Sequence, residues 1–346
     1  MSAVLVARLD SDGDVLLSGP ALRAVAAGAD RVVLLAGPRG AAAARLLPGV
    51  DEVLVWHCPW IDAEPQPVDR RAVERLVTDV RALGVDRALV LTSFHQSALP
   101  LALLLRLAGV PWVGATSTDY PGSLLDLRHQ LPEQGLHEVE RALSLATAAG
   151  YRLPAGDDGA LAVRRPLPDP PASVGDTPYV VVHPGASVPS RAPAPDWCAE
   201  LVRALNARGH RVVVTGGPSE RALTATVAGA AGTDLGGATD LAGLAAVLAG
   251  ARAVVVGNTG PAHVAAAVGT PVVSLFAPVV PAERWRPWQV PHRLLGDQSA
   301  ACAGTRARTC PVAGHPCLGS ITVEQAVDAV EQLAPHLPAP QLEVSR

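Results

Sequence analysis

The chain has 346 residues, 49% of them hydrophobic and 17% charged, with a formal net charge of −4. That is too long for one ordinary domain and too apolar for a disordered chain. The negative balance excludes a long-range attraction for nucleic acid, so any bound anion must be held locally.

The start, "MSAVLVARLD", enters an apolar run at once, with no basic leader and no cleavage site, which predicts a cytoplasmic protein. Strand-like runs follow at 3–9, 31–36, 52–56, 87–93 and 111–116. They are separated by helical patterns, such as 69–84 and 136–150, that end in glycine. The longest apolar stretch, 98–115, is broken by Arg106 and Pro111 and is too short to predict a membrane span. Residues 153–178 are rich in Pro, Gly and Asp and lack periodicity, as a linker does. Beyond them the alternation restarts, with strands predicted at 179–183, 210–216, 233–237, 252–258 and 271–278 and a final helical pattern at 322–335. Continuous apolar strands between helices predict parallel sheets covered on both faces. The expected class is therefore α/β, with two Rossmann-like doubly wound domains facing across a cleft. The predicted boundaries are 1–160 for the first domain, 161–178 for the linker and 179–346 for the second, the last helix (322–335) packing back across the lobes.

The first strand runs into "RLDSDGDVLLSGP", Arg8 to Pro20. Three alternate aspartates beside a glycine suggest a calcium loop. Such a loop needs its glycine after the third acid and a glutamate near position twelve, but Gly13 precedes Asp14, and Ala21 occupies the glutamate position. What remains is a strand-to-helix turn. Gly13 lets the backbone come close, and Asp14 stands near a helix start, where the dipole favours its charged form. Asp14 is either a helix cap or a carboxylate directed at a ligand. Asp10 and Asp12 are expected to face solvent or shape the turn, and Pro20 to kink the helix behind it. Further along, His95 follows a strand, and His137 and Arg141 in "HEVER" share a helix face at i, i+4 spacing. All three are candidates for the acceptor side, with packing or surface roles as alternatives.

Four post-strand loops of the second half carry small and polar residues. They are "HPGASVPSR" (183–191), "TGGPSER" (215–221), "LGGATDL" (235–241) and "GNTGPAHVAAAVG" (257–269). Glycines allow close backbone approach, and a helix that starts right after a strand presents free N–H groups to an anion. Converging, they predict a phosphate site, with Asn258 or Thr259 as an N-cap and His263 one turn in. No GxGxxG occurs, so a nicotinamide cofactor has little support. The late segment "CAGTRARTCPVAGHPC" offers Cys302, Cys310, His315 and Cys317 but not two CxxC pairs. Packed thiols are favoured over structural zinc. Trp285 and Trp288, in "ERWRPW", are candidates for sugar or adenine contact or for packing.

"RLDSDGDVLLSGPALRA", "VVHPGAS" with Arg191, "VVTGGPSER", the run from Asp234 to Pro278 and "CPVAGHPCL" resemble glycosyltransferase family 9, the ADP-heptose:lipopolysaccharide heptosyltransferases and their relatives. The resemblance implies a GT-B fold with the acceptor on the first lobe and the nucleotide sugar on the second. It also implies inversion at the anomeric centre with no metal or other cofactor, the ADP-sugar serving as co-substrate. It makes Asp14, next to Gly13, the catalytic base. It places Asn258, Thr259, Gly260 and His263 at the diphosphate and sugar, and Ser187 and Arg191 at the phosphates. Thr215, Gly216 and Gly217 fall in the donor loops, Glu220 at the ribose and Thr239 beside the nucleobase. Many family members carry aspartate where this chain has Asn258, and the first lobe lacks a strong basic patch. The expected partners are a nucleotide-sugar donor and a glycan, lipid-linked or small-molecule acceptor. A peripheral membrane contact is compatible with this reading, and a monomer is expected. The alternatives are a nucleotide-sugar 2-epimerase on the same scaffold, a transferase using another nucleotide sugar, and a two-lobed binding protein, which the missing secretory signal disfavours.

Overall fold

The computed structural model describes residues 2–62, 65–93, 95–131 and 135–335. The chain divides into two compact units. Unit 1 comprises residues 1–167, 266–268 and 283–289, and unit 2 comprises 168–265, 269–282 and 290–346.

Unit 1 contains β1 (Ala3–Arg8), α1 (Asp12–Leu17), α2 (Gly19–Ala26), β2 (Arg31–Ala36), α3 (Ala41–Leu46), β3 (Glu52–Val55), α4 (Arg70–Leu83), β4 (Arg87–Val90), α5 (Leu99–Leu107), β5 (Trp112–Thr116), β6 (Leu127–His129) and α6 (Glu138–Ala148). Its six strands are parallel and ordered β3-β2-β1-β4-β5-β6. Leu5, Ala7, Val33, Leu35 and Val90 of the sheet pack with Leu76 and Val80 of α4 and Leu101 and Leu105 of α5. The helix α4 forms where the pattern predicts it. The Asp69 carboxylate accepts from the Arg71 N–H at 3.0 Å, and Gly84 ends the helix in the left-handed conformation. Ser18 separates α1 from α2, and Pro20 falls in the first turn of α2, where its missing N–H costs nothing. The proline thus restarts the helix as expected.

Unit 2 contains β7 (Tyr179–His183), α7 (Pro195–Ala207), β8 (Arg211–Gly216), α8 (Arg221–Ala228), β9 (Gly232–Gly236), α9 (Leu241–Ala249), β10 (Ala251–Gly257), most of α10 (Gly260–Val268), β11 (Val272–Leu275), β12 (His292–Leu295), α12 (Pro316–Gly319) and α13 (Val323–Leu333). Between β11 and β12, the short helix α11 (Ala282–Trp285) lies almost wholly in the 283–289 segment of unit 1. The strand order β12-β11-β10-β7-β8-β9 repeats the winding of unit 1, again all parallel. In each unit the order reverses direction between two central strands, β1 and β4 in one and β7 and β10 in the other. Ligands of doubly wound sheets bind at such reversal points.

Three expectations change. The helix α13 was expected to return across the lobes, but Ala326, Val327, Ala329 and Val330 are buried in the core of unit 2 with Val202 and Val255. The predicted linker, 161–178, begins too early. Leu161 and Val163 are buried, the Arg164 N–H donates to the Leu46 carbonyl and its guanidinium to the Leu47 carbonyl, and the units divide after Leu167. Two strands, β6 and β12, were not predicted. Among the described residues no helix is long and apolar enough to cross a membrane.

Candidate active site

The strand β1 is buried along its whole length and ends in a charge, Arg8, whose side chain is 3% exposed. A buried guanidinium must be paired, and the topology surrounds this one with acids. Its Nε lies 2.9 Å from Asp10 Oδ2, and its Nη2 lies 3.2 Å from Asp14 Oδ1 and 3.6 Å from Glu138 Oε2. Nη2 also donates to Ser93 Oγ, at 2.9 Å, from the loop after β4. These groups sit at the β1/β4 reversal point. Burial alone would lower the Arg8 pKa, but the attraction of Asp10, Asp14 and Glu138 outweighs it and raises it.

Asp14 lies in the first turn of α1. Ser11 holds the N-cap position, and its hydroxyl donates to Asp14 Oδ2 at 2.9 Å. The Asp14 side chain keeps 21% exposure, the most of the acids in this cluster. Gly13 is buried beneath it. Asp10 and Asp12 do not face solvent as expected. Asp10 pairs with Arg8 and accepts from Gln96 Nε2 at 2.6 Å, while Asp12 accepts from the Ala43 N–H at the start of α3 at 3.0 Å. Burial raises the pKa of both; Arg8 opposes the rise for Asp10, and the Ala43 N–H opposes it for Asp12. Glu138, 2% exposed, also lies 3.2 Å from Arg141 Nε and 3.7 Å from Arg284 Nη1. Burial pushes its pKa up against the pull of Arg8 and Arg141.

The two candidates on α6 differ. His137 is the N-cap rather than a residue of the helix face. Its Nδ1 accepts from the Val139 N–H and its Nε2 donates to the Arg286 carbonyl at 2.9 Å, so the buried ring is committed to packing. Trp288 lies against it, ring centroids 4.5 Å apart, and donates its indole N–H to the Gly159 carbonyl, which makes that tryptophan a packing residue. Arg141 belongs to the charged cluster through Glu138. His95 is exposed.

In unit 2 the loops flanking β7 and β10 carry the donor-side candidates. His183, at the end of β7, is buried, with Nδ1 3.0 Å from Thr215 Oγ1 at the end of β8. Burial lowers its pKa against the attraction of Glu220, so the imidazole is neutral at pH 7. Glu220 Oε2 accepts from the Gly217 N–H at 2.7 Å, and its carboxyl fills the space that a side chain at Gly185 would take. Gly216 is pressed against Thr224 in the same way. Here glycine is required by close approach rather than by backbone angle. Gly257 is another such position, since a Cβ there would stand 2.7 Å from the Arg191 carbonyl oxygen.

Thr259 precedes α10, Gly260 opens it, and His263 is buried one turn in. The Asn258 side chain is not turned to a ligand. Its Nδ2 donates to the Ala277 carbonyl at 3.2 Å, and its Oδ1 accepts from the Ala277 N–H at 3.1 Å. This amide ties the loop after β10 to the end of β11, and the Asn258 carbonyl meets Arg191 Nη1 at 3.5 Å. Ser187 is exposed and Thr239 is half-buried just before the Asp240 cap of α9.

The late cysteine segment supports the β7 loop. Ser190 donates its N–H to the Arg308 carbonyl and its hydroxyl to the Ala307 carbonyl, and His315 Nε2 donates to the Ser190 carbonyl at 3.0 Å. Cys302 and Cys317 are buried thiols, and burial pushes Cys317 up to about 11. Among the described residues no three His, Cys, Asp or Glu side chains are grouped to hold a metal ion.

Residue-level reading missed Arg8, Ser93, Gln96, Glu138 and His183. The available signal was a charge ending an otherwise apolar run, "AVLVAR", which implies a buried partner.

Two parallel sheets of identical winding, with glycine-lined loops at one reversal point and a paired carboxylate at the other, define a two-domain α/β protein of the GT-B class. The model of glycosyltransferase family 9 (heptosyltransferase) matches residues 73–315, and the chain belongs to this family. It is similar to lipopolysaccharide heptosyltransferase 3 of Escherichia coli, 34% identical over 178 residues, covering 46% of this chain and 50% of that protein. The chain thus spans about half the length of the curated relatives it first matches. Among solved structures, a glycosyltransferase family 9 protein from Veillonella parvula has a TM-score of 0.77 at 18% identity, covering 96% of this chain and 97% of that one. ADP-heptose lipopolysaccharide heptosyltransferase II of E. coli has a TM-score of 0.73 at 19% identity, covering 96% and 98%. These two likenesses show the fold.

Proposed function

We propose that the protein is an inverting glycosyltransferase that moves a heptose or related sugar from an ADP-activated donor to an acceptor hydroxyl. The acceptor is a glycan, a lipid-linked sugar or a small molecule. The observation that carries this reading is Asp14, the most exposed acid of a buried charged cluster, fixed through both carboxylate oxygens at the β1/β4 reversal point. A group in that position suits a general base. The acceptor oxygen attacks the anomeric carbon while Asp14 takes its proton. The bond from that carbon to the diphosphate oxygen breaks, ADP leaves, and the configuration inverts. The growing negative charge on the diphosphate is met by the N–H groups at the start of α10 and by Arg191, so the reaction runs without a divalent cation. Support on the donor side comes from the two glycine-lined loops at the β7/β10 reversal point. The family model, and relatives named for heptose transfer, favour ADP-heptose.

Calorimetric titration with ADP, UDP and GDP tests the donor. ADP is expected to bind most tightly, and equal or weaker binding of ADP would exclude the assignment. Asp14→Asn is expected to lower transfer by about 10²–10⁴-fold with ADP affinity retained. Turnover in EDTA equal to that in magnesium is the result expected for a cation-independent reaction.

A further inference from the structure

The β1/β4 centre holds two carboxylates on one guanidinium. Asp10 takes Arg8 Nε at 2.9 Å and Asp14 takes Nη2 at 3.2 Å, so this trio carries one negative charge more than it neutralises. Glu138 also reaches Arg8, at 3.6 Å, but is balanced from its other side by Arg141 and Arg284. Asp10 is not free to swing away. Gln96 Nε2 donates to it at 2.6 Å, and Gln96 Oε1 is itself fixed by the Ser93 N–H at 3.0 Å.

We propose that Asp10 is a positioning residue, which engages one face of Arg8 so that the guanidinium is never given wholly to Asp14, and thereby sets how strongly Asp14 binds a proton. The proposal rests on the reading of Asp14 as the base. A carboxylate paired alone with a buried arginine is a poor base, because the pair favours its charged form. Sharing the cation with a second carboxylate restores proton affinity, through both the divided attraction and the repulsion between like charges.

The other charged groups around α1 are engaged elsewhere. Asp12 accepts from the Ala43 N–H. On α2, Arg23 pairs with Asp157 at 2.6 Å, and on α3, Arg45 bonds the Ala41 carbonyl at 3.2 Å. On α6, Glu140 accepts from the His137 N–H at 2.8 Å, while Glu138 and Arg141 pair with each other. Arg39, 3.8 Å from Asp62, acts on Asp10 and Asp12 through space, and the buried Cys58 thiol near Asp10 is pushed up to about 12 and stays neutral. Asp10 and Arg8 are thus the two groups whose removal alters Asp14 in opposite directions.

The experiment is a carbon-13 titration of the full chain labelled at its aspartate carboxyls, the Asp14 resonance being identified by its loss in Asp14→Asn. In Asp10→Asn the Asp14 midpoint is expected to fall by about one pH unit, and in Arg8→Gln to rise by about one or more. The coupled two-step titration of the wild type should become a single step in Asp10→Asn. A midpoint in Asp10→Asn that stays within about 0.3 unit of wild type, or rises, overturns the proposal. Arg8 is buried and its substitution can unfold the chain, but Asp10→Asn decides the matter alone once its amide spectrum shows a folded protein. Failure of the base reading is separately visible. It would appear as undiminished turnover of ADP-heptose by Asp14→Asn, with the titration shifts unaffected.

Discussion

Asn258 illustrates how a residue's position in a motif and its physical task separate. The family resemblance assigns it to the donor, and an aspartate is common there, yet in this chain both ends of the amide are used on one peptide group, that of Ala277. An amide can donate and accept at once; a carboxylate can only accept. Asn258→Asp would set a buried carboxylate oxygen against the Ala277 carbonyl, losing one hydrogen bond and adding repulsion. The expected cost is about 1–3 kcal/mol, read as a lower denaturation midpoint with an unchanged denaturant slope. A variant as stable as wild type would mean that the loop is tied by something else. His137 shows the same separation. Its spacing to Arg141 on paper suggested a shared face, but a residue with extended backbone at a helix start turns its ring back onto the first-turn N–H groups.

At the scale of elements, the two glycine-lined loops of unit 2 depend on clearance. Arg191 follows a short 3-10 turn and its carbonyl lies directly over Gly257. Both partners of that contact are backbone, so neither can rotate away. Gly257→Ala is expected to push the 187–191 segment from the start of α10 and weaken ADP binding by about tenfold or more, roughly 1.4 kcal/mol, in calorimetric titration. The strands that flank these loops were readable because central parallel strands are apolar throughout, "YVVVH" and "AVVVG" being examples. The edge strands β6, "LRH", and β12, "HRLL", were not, because each pairs on one side only and carries charged or polar residues where a central strand carries valine. Asp14 was legible because its signal is local, a glycine-aspartate turn after a strand. Its cluster was not, because Arg8 and Glu138 are 130 residues apart and only the folded topology makes them neighbours.

For the whole molecule, two features bind distant chain to unit 1. Arg23 on α2 grips Asp157 through two hydrogen bonds, 2.6 and 2.8 Å, and donates to the Ala160 carbonyl. The hydrogen bond from Arg23 holds the Asp157 pKa below the usual carboxylate value of 3.8. A carboxylate depressed in the folded state contributes stability that is present above its unfolded pKa and is lost as pH falls through the folded one. Arg23→Met should therefore lower stability by about 1–3 kcal/mol at pH 7, and the loss should shrink below about pH 4. Chemical denaturation at the two pH values checks it, and a pH-independent difference would argue that the packing of the arginine stem is what matters.

The second feature is the return of residues 283–289 to unit 1, where Arg284 meets Glu138 and the Arg286 carbonyl meets His137. On a ribosome the chain emerges in order. By the time Glu138 is made, its sheet, with all six strands, can already form, but one of its three cations and the cap of its own helix are still more than 140 residues away in the message. The charged centre of the first unit is therefore finished late, by a segment translated after most of the second unit. A nascent chain released early would carry a buried carboxylate short of a partner, a defect that protein quality control can recognise.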